Sequence, residues 1–544
     1  MRKVCKENKI KRLGTMIDCS RNAVMNIESL KKWIDVTSDM GYNVVMLYME
    51  DVYEVDENPY FGYGRGRYSK QELKEIDTYA VSKGVELIPC IQTLAHLNAI
   101  SYWKEYYSMF DCDDILLVGD ERVYELIDNM FKTMSQCFTT KHINIGMDEA
   151  HMVGRGKYYD LHGDCDRTKL IVEHLNRVSQ IAKKYGFTLS MWSDMFFRIA
   201  SGGEYYNTEF EVSDEVKSLI PDNVELAYWD YYSKDKKHYN DMLRAHKKIK
   251  DEIWFAGGIW TWSGFAPYNK FSIDATKAAL DGCNKNGIEN IVFALWGDDT
   301  SECSKFATIP ALFYIAEMAK GNKSATSIKE KFKEKFGISF DRFMLLDLTS
   351  KGERINPSKY VFYNDLFNGR MDTVITDTLK DEHKALSRKL ALLKDNEQWG
   401  YLFRTQKALC DVVALKADLG IRIRSAYNEK NIDELKNIIA DCKKVKKLME
   451  IFYKNYEQQW MRENKGHGFD IQDIRVGGMI ARVNHCTERL QQFVDGKIEK
   501  IEELEGTLLD FFGRGTNYVK EDKQLADFKY IYSSNMLFMG AFGA

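Results

Sequence analysis

Ile143-Asn144-Ile145-Gly146-Met147-Asp148-Glu149 is a short apolar run that stops on two adjacent carboxylates. A run of this length, closed by a glycine, suits a buried strand that ends where polar groups begin. The same pattern recurs on both sides of it. Gly14–Ile17, Val44–Tyr48, Glu86–Ile91, Ile143–Gly146, Thr188–Met191, Val224–Tyr228, Ile253–Gly257 and Asn290–Leu295 make eight such runs. Amphipathic helical patterns lie between them, such as Ile27, Leu30, Trp33, Ile34 and Val36–Thr37, or Val123, Leu126, Ile127, Met130 and Phe131. Eight strand–helix units predict an α/β fold, a parallel (β/α)8 TIM barrel. A doubly wound sheet would need a Gly-rich phosphate turn after an early strand, and the sequence has none.

The pattern changes after about residue 320. Pro357 is the last proline, and Leu435, Ile438, Ile439, Cys442, Val445, Leu448, Met449 and Phe452 recur at helical spacing. Asp377–Lys394, Gln406–Tyr427 and Val476–Leu504 read the same way. The expected division is a catalytic barrel over residues 1–320 and an α-helical C-terminal domain over 321–544. The helical half would support the barrel, and a homodimer formed through it is left open by the sequence.

The composition bounds the function. With 44% hydrophobic and 29% charged residues, the 544-residue chain is an ordinary globular protein, too long for one core. A net charge of −4 gives no electrostatic case for nucleic acid. The eleven cysteines show neither C-x-x-C nor finger spacing, which suits reduced thiols in a cytoplasmic protein. Met1–Arg12 is polar and basic without an apolar core, so no signal peptide is expected. No apolar run has the length of a membrane span.

Barrel chemistry sits at the C-terminal strand ends. In order, those ends offer Asp18 and Arg21; Glu50, Asp51 and Tyr53; Gln92 and His96; Asp148, Glu149 and His151. Then follow Trp192 and Asp194; Trp229, Asp230 and Tyr232; Trp260 and Trp262; Trp296, Asp298 and Glu302. Four consecutive ends carry Trp. One Trp or carboxylate alone reads as packing or surface charge, but recurrence in register reads as a site. Indole faces stack on sugar rings while carboxylates and Arg bind hydroxyls, and clustered carboxylates suit glycoside hydrolysis. Two competing motifs fail. Asp148-Glu149-Ala150-His151 spells a helicase box, but the phosphate loop it requires is missing. His142, His151, His162 and Asp148 lack metal-ligand spacing, so neither metal nor cofactor is expected.

Several of these segments carry a family resemblance. Ile143–Glu149 is similar to the fourth-strand signature of glycoside hydrolase family 20, the β-N-acetylhexosaminidases, with Met147 where the family has a second Gly. Asp18-Cys19-Ser20-Arg21, Ile88-Pro89 with His96, and Trp192-Ser193-Asp194 resemble its first, third and fifth strand motifs. Leu295-Trp296-Gly297-Asp298 resembles its eighth, with Asp for Glu. The similarity covers about residues 10–320. A barrel that starts the chain, with a helical domain after it, is similar to a compact bacterial subgroup. Strand seven ends in Trp260-Thr261-Trp262 where the family usually places a Tyr, so Trp229-Asp230-Tyr231-Tyr232 is left to supply it, with Tyr232 carried as the candidate.

The resemblance implies an exo-β-N-acetylhexosaminidase that releases terminal β-linked N-acetylglucosamine or N-acetylgalactosamine with retained configuration. The substrate's acetamido oxygen would be the nucleophile, with Asp148 orienting the amide and Glu149 acting as acid and then base. Trp192, Trp229 and Trp296 would wall the pocket, and Arg21, Asp298 and Glu302 would hold the outer hydroxyls. His96, Tyr232 and Trp260 complete the candidate set. The partner implied is a small glycan or glycoconjugate with a terminal N-acetylhexosamine. Two other readings stay open: a barrel glycosidase with a protein nucleophile such as Asp194 or Glu50, and a non-catalytic glycan-binding protein.

Overall fold

The computed structural model describes residues 10–208, 212–350, 356–511, 513 and 527–532. Eight parallel strands close into a barrel: β1 Arg12–Asp18, β2 Val44–Tyr48, β3 Glu86–Cys90, β4 His142–Asn144, β5 Thr188–Trp192, β6 Val224–Trp229, β7 Ile253–Gly258 and β8 Asn290–Leu295. Each strand pairs with its sequence neighbours, and β1 joins β8 through Arg12↔Asn290 to Ile17↔Leu295. Parallel barrel strands are covered on both faces, which is why they read as continuous apolar runs rather than alternating ones. Met16, Val44, Met46, Ile88, Cys90, Trp254, Ala256 and Val292 fill the inside. Ile17, Val45, Leu47, Leu87, Ile143 and Leu189 face out against the helices.

The helices are local in origin. In Ile27–Met40, the Asn26 side chain caps Ser29 N, and Gly41 closes the helix at φ 103°. Its buried face, Leu30, Trp33, Ile34 and Thr37, is the one read from the sequence. Between β3 and β4 the chain makes an excursion that includes a small hairpin, Phe110–Cys112 with Ile115–Leu116. Asp114 at that hairpin accepts the backbone N–H of His96 at 2.9 Å, fixing a residue held at φ 58°.

The chain beyond the barrel is helical, with Gly400–Lys416, Leu419–Asn428, Ile432–Glu463 and Phe469–Val494 as its main elements. Two details differ from the sequence expectation. The expected helix over 406–427 is broken at residues 417 and 418, and the one expected from Val476 stops at Val494, before Gly496 turns at φ 67°. A second core takes in Ala23 and Phe265 from the barrel loops and runs through Tyr360, Leu409, Ile438, Phe452 and Val483. Ile328, Phe332, Phe343, Trp399 and Phe403 belong instead to the barrel's outer core, so the two layers share apolar surface. No helix among the described residues is long and apolar enough to cross a membrane.

Trp33 ties this outer core together. It is fully buried, donates from Nε1 to Thr15 Oγ1 at 3.0 Å and meets Phe306 edge-on at 5.5 Å. Trp33→Ala should destabilise the barrel by about 3–5 kcal/mol, the usual cost of an aromatic cavity. Urea unfolding checks this, and a loss under 1 kcal/mol, roughly a surface effect, would show that the site collapses freely.

Candidate active site

The backbone after β4 decides the site. An extended strand sends neighbouring side chains to opposite faces, so Asp148 and Glu149 could not share a pocket on one. Here β4 stops at Asn144, and Gly146, Met147 and Glu149 all adopt left-handed φ values of 69°, 68° and 51°. Such values are uncommon outside Gly and must be held by their surroundings. Gln92 Oε1 accepts Met147 N–H at 3.2 Å, Trp192 N–H donates to the Gly146 carbonyl at 3.1 Å, and Asp194 Oδ2 accepts Glu149 N–H at 3.1 Å. A side chain at Gly146 would be strained at this φ and would displace Gln92, because an added Cβ would lie 1.9 Å from Gln92 Oε1.

Both carboxylates thereby reach one cavity, lined by Arg21, Tyr48, His96, Asp148, Glu149, Trp192, Trp229, Tyr231, Tyr232, Trp296 and Asp298. The two carboxyls are held differently. Asp148 is buried and accepts from Gln92 Nε2 at 2.8 Å, with His96 Nε2 at 3.4 Å from its other oxygen. Burial alone would raise the Asp148 pKa, but the His96 charge and these donors outweigh it and hold the group ionised, below the usual carboxylate range. Burial would also lower the His96 pKa, but the Asp148 charge prevails and pushes it up to about 10. Their contact is an ion pair without hydrogen-bond alignment. Glu149 stands further out, its side chain 35% exposed, with Arg198 Nη2 at 3.7 Å.

Arg21 forms the opposite end. Its guanidinium lies 3.4 Å from Asp18 and 3.3 Å from Glu50, over the rings of Tyr48 and Trp296. Asp298 faces this charge, yet burial comes first and pushes its pKa up to about 6. Aromatic rings complete the wall: Tyr231 stacks on Trp229 at 5.4 Å, and Trp296 lies 6.3 Å from Trp192. A charged floor, a cationic end and flat apolar walls can hold a pyranose ring and act at its anomeric carbon.

Nine of the eleven sequence candidates thus converge: Arg21, His96, Asp148, Glu149, Trp192, Trp229, Tyr232, Trp296 and Asp298. Two do not line the cavity. Trp260 is buried behind it, donating to the Tyr231 carbonyl at 2.9 Å and stacked on Trp262, so it supports the wall. Glu302 is also buried, turned into the helical layer against Lys359 at 3.0 Å and Tyr363, because the chain twists sharply after Asp298. Tyr48 and Arg198 carry no expectation from the sequence, and Gln92 and Tyr231, though noted at their strand ends, are outside the candidate set. Tyr48 was legible, since it continues the inward alternation of Val44 and Met46. Among the described residues, no group of three or more His, Cys, Asp or Glu is arranged to hold a metal.

Asp194, expected at the end of the fifth strand, does not line the cavity. It is fully buried beneath the Glu149 peptide, and its Oδ1 has no hydrogen-bond partner among the described residues. Burial, then the charges of Asp148 and Glu149, push its pKa up to about 7. The native state therefore keeps a proton that an unfolded Asp, with a pKa of about 3.9, releases. Asp194 favours the fold fully below about pH 4, and that contribution is lost as pH rises through about 7. Asp194→Asn should flatten the decline in unfolding temperature over this window relative to the parent protein. An identical slope in both would mean that Asp194 is ionised throughout.

A model of the glycosyl hydrolase family 20 catalytic domain matches residues 12–255, and one of the glycoside hydrolase 20C C-terminal domain matches residues 341–521. Hexosaminidase D of Bos taurus is 24% identical over 239 residues, covering 42% of this chain and 63% of that protein. β-Hexosaminidase 3 of Arabidopsis thaliana is 22% identical over 205 residues, covering 35% and 38%. The chain thus spans under two thirds of either curated relative. A solved β-N-acetylhexosaminidase from Bacteroides fragilis superposes with a TM-score of 0.47 at 19% identity, over 60% of this chain and 69% of that one. An exo-β-N-acetylglucosaminidase from Vibrio harveyi gives 0.47 at 14% identity, over 63% and 59%. With both its catalytic and its C-terminal parts matched by models of one family, the chain belongs to glycoside hydrolase family 20.

Proposed function

We propose that the protein is an exo-acting β-N-acetylhexosaminidase that releases terminal N-acetylglucosamine or N-acetylgalactosamine through the substrate's own acetamido group. The observation that carries this reading is the turn after β4, which brings an ionised, buried Asp148 and a more exposed Glu149 into one aromatic pocket. The names of the curated relatives, both hexosaminidases, point the same way.

The acetamido oxygen attacks the anomeric carbon while Glu149 gives its proton to the departing glycosidic oxygen. Asp148 accepts the amide N–H and balances the positive charge of the resulting oxazolinium ring. Water then gives a proton to Glu149 and attacks the same carbon, which reopens the ring. Two displacements retain the configuration. His96, held cationic by Asp148, stops that carboxylate from taking up the proton. Trp192, Trp229 and Trp296 stack on the sugar, Tyr231 or Tyr232 meets the acetamido oxygen, and Arg21 with Asp298 binds the outer hydroxyls. The alternative protein nucleophiles are poorly placed. Asp194 is engaged with Glu149 N–H and Arg198, Glu50 with Arg21 and Tyr48, and both are buried off the cavity lining. The ten described cysteines are all free thiols, which supports a reducing, cytoplasmic setting.

Glu149→Gln should lower kcat for an alkyl N-acetyl-β-glucosaminide by about 10²-fold or more and spare bond cleavage with a nitrophenyl leaving group, which needs less protonation. Equal small losses on both would move the acid elsewhere. Asp148→Asn should cost about 10²–10³-fold, because charge complementarity in a dry pocket is lost. A thiazoline mimic of the cyclic intermediate should inhibit the parent protein far better than the sugar product does, and the mutant should lose much of that preference. A glycosyl group trapped on a carboxylate by a 2-fluoro sugar would instead establish a protein nucleophile.

A further inference from the structure

The loop that follows β8 carries the second run of left-handed residues in the barrel. Asp299, Thr300 and Ser301 stand at φ 53°, 84° and 54°, with no glycine among them. One such residue is uncommon, and a β-branched one is an outlier. Three in succession persist only where their surroundings impose them. Immediately before them stands Asp298, which lines the sugar pocket and faces Arg21.

The restraint comes from the helical layer. Asp299 accepts from Lys359 Nζ at 2.6 Å, Arg475 Nη2 at 2.7 Å and Phe528 N–H at 2.9 Å. Arg475 Nη1 also donates to the Asp299 carbonyl at 3.1 Å. Gln472 Nε2 donates to the Thr300 carbonyl at 2.9 Å and to its Oγ1 at 3.1 Å. Glu302 closes the group with Lys359 at 3.0 Å and Tyr363 at 2.5 Å. Two buried anions thus meet two buried cations, with side chains at most 10% exposed. Such clusters are a costly way to stabilise a fold, but a directional way to fix a backbone. On the barrel side, Ser301 N–H returns to the Gly297 carbonyl at 2.7 Å, and Asp18 holds Gly297 N–H at 2.7 Å.

We propose that the helical layer is a working part of the sugar pocket: Arg475, Lys359 and Gln472 are positioning residues that hold the Asp299–Ser301 turn, and through it set Asp298 against the outer hydroxyls of the terminal sugar. The proposal rests on the hexosaminidase reading. It assigns the C-terminal domain a role in recognising a chain end, beyond covering the barrel.

The test is a double-mutant cycle on the full chain with nitrophenyl N-acetyl-β-glucosaminide. Arg475→Met and Gln472→Leu should each raise KM by about tenfold, the scale of a charged hydrogen bond, with kcat changed far less. Arg475→Lys should recover part of the loss. Asp298→Asn should raise KM by itself, and adding Gln472→Leu to it should cost little more, since both act through one contact. Additive losses, or an unchanged KM in a folded Gln472→Leu, would overturn the proposal. If Arg475→Met does not fold, the Gln472 cycle decides alone. Amide hydrogen exchange gives a readout independent of turnover: residues 298–302 should lose protection in Gln472→Leu, and unchanged protection would sink the positioning role. No turnover by the parent protein would instead defeat the hexosaminidase reading.

Discussion

Two neighbouring carboxylates can serve one bond only if the backbone between them leaves the extended region, and the rest of the site is arranged around that constraint. The departure begins at Gly146, where a Cβ would displace the Gln92 side chain, and ends at Glu149, whose N–H rests on Asp194. Gln92 follows β3 and Asp194 follows β5, so the strands flanking β4 clamp its end from both sides. Gln92 does two things at once, accepting Met147 N–H and donating to the Asp148 carboxylate. The strain of the turn, about 1–3 kcal/mol per left-handed residue, is thereby offset by groups that also set the charge state of the site.

The electrostatics follow from burial. Asp148 and His96 are each buried, and each keeps its charge because the other is present. Arg21 plays the same part for Asp18, whereas at Glu50 burial outweighs it and raises the carboxyl's pKa. Asp194 has less compensation than it needs between two carboxylates and therefore holds a proton towards neutral pH. Some charges of the pocket are thus paired, as in Asp148 with His96, while burial raises the pKa of Glu50, Asp298 and, beneath the Glu149 peptide, Asp194. Exposure divides the two carboxyls: Asp148 is buried and fixed as an anion, whereas the Glu149 side chain is 35% exposed.

Much of this was legible in the sequence. The eight strands and the amphipathic faces between them follow from periodicity, and strand ends differ by a residue or two. The turn after β4 was not legible, because a left-handed Met147 carries no local signal. The helix break at residues 417 and 418 is equally silent, since neither proline nor glycine marks it. In the site, reading the residues after each strand found the carboxylates, Arg21 and the Trp walls. It passed over Tyr48 because that residue is the last of its strand rather than the first beyond it. Glu302 was misplaced because Asp299, Thr300 and Ser301 turn the chain in a way their identities do not suggest. Gln92 and Asp194 act on the Asp148–Glu149 segment from 56 and 45 residues away, a link that only the closed barrel reveals.

The central claim is that the nucleophile belongs to the substrate. Replacing the hydrogens of the acetamido methyl group by one, two and three fluorines weakens the carbonyl oxygen as a nucleophile while barely changing its shape. With a constant nitrophenyl leaving group, kcat/KM should fall steeply and regularly along the series, by roughly tenfold or more per fluorine on the scale of 1.4 kcal/mol per decade. A rate that stays level across the series would place the nucleophile on the protein and contradict the account.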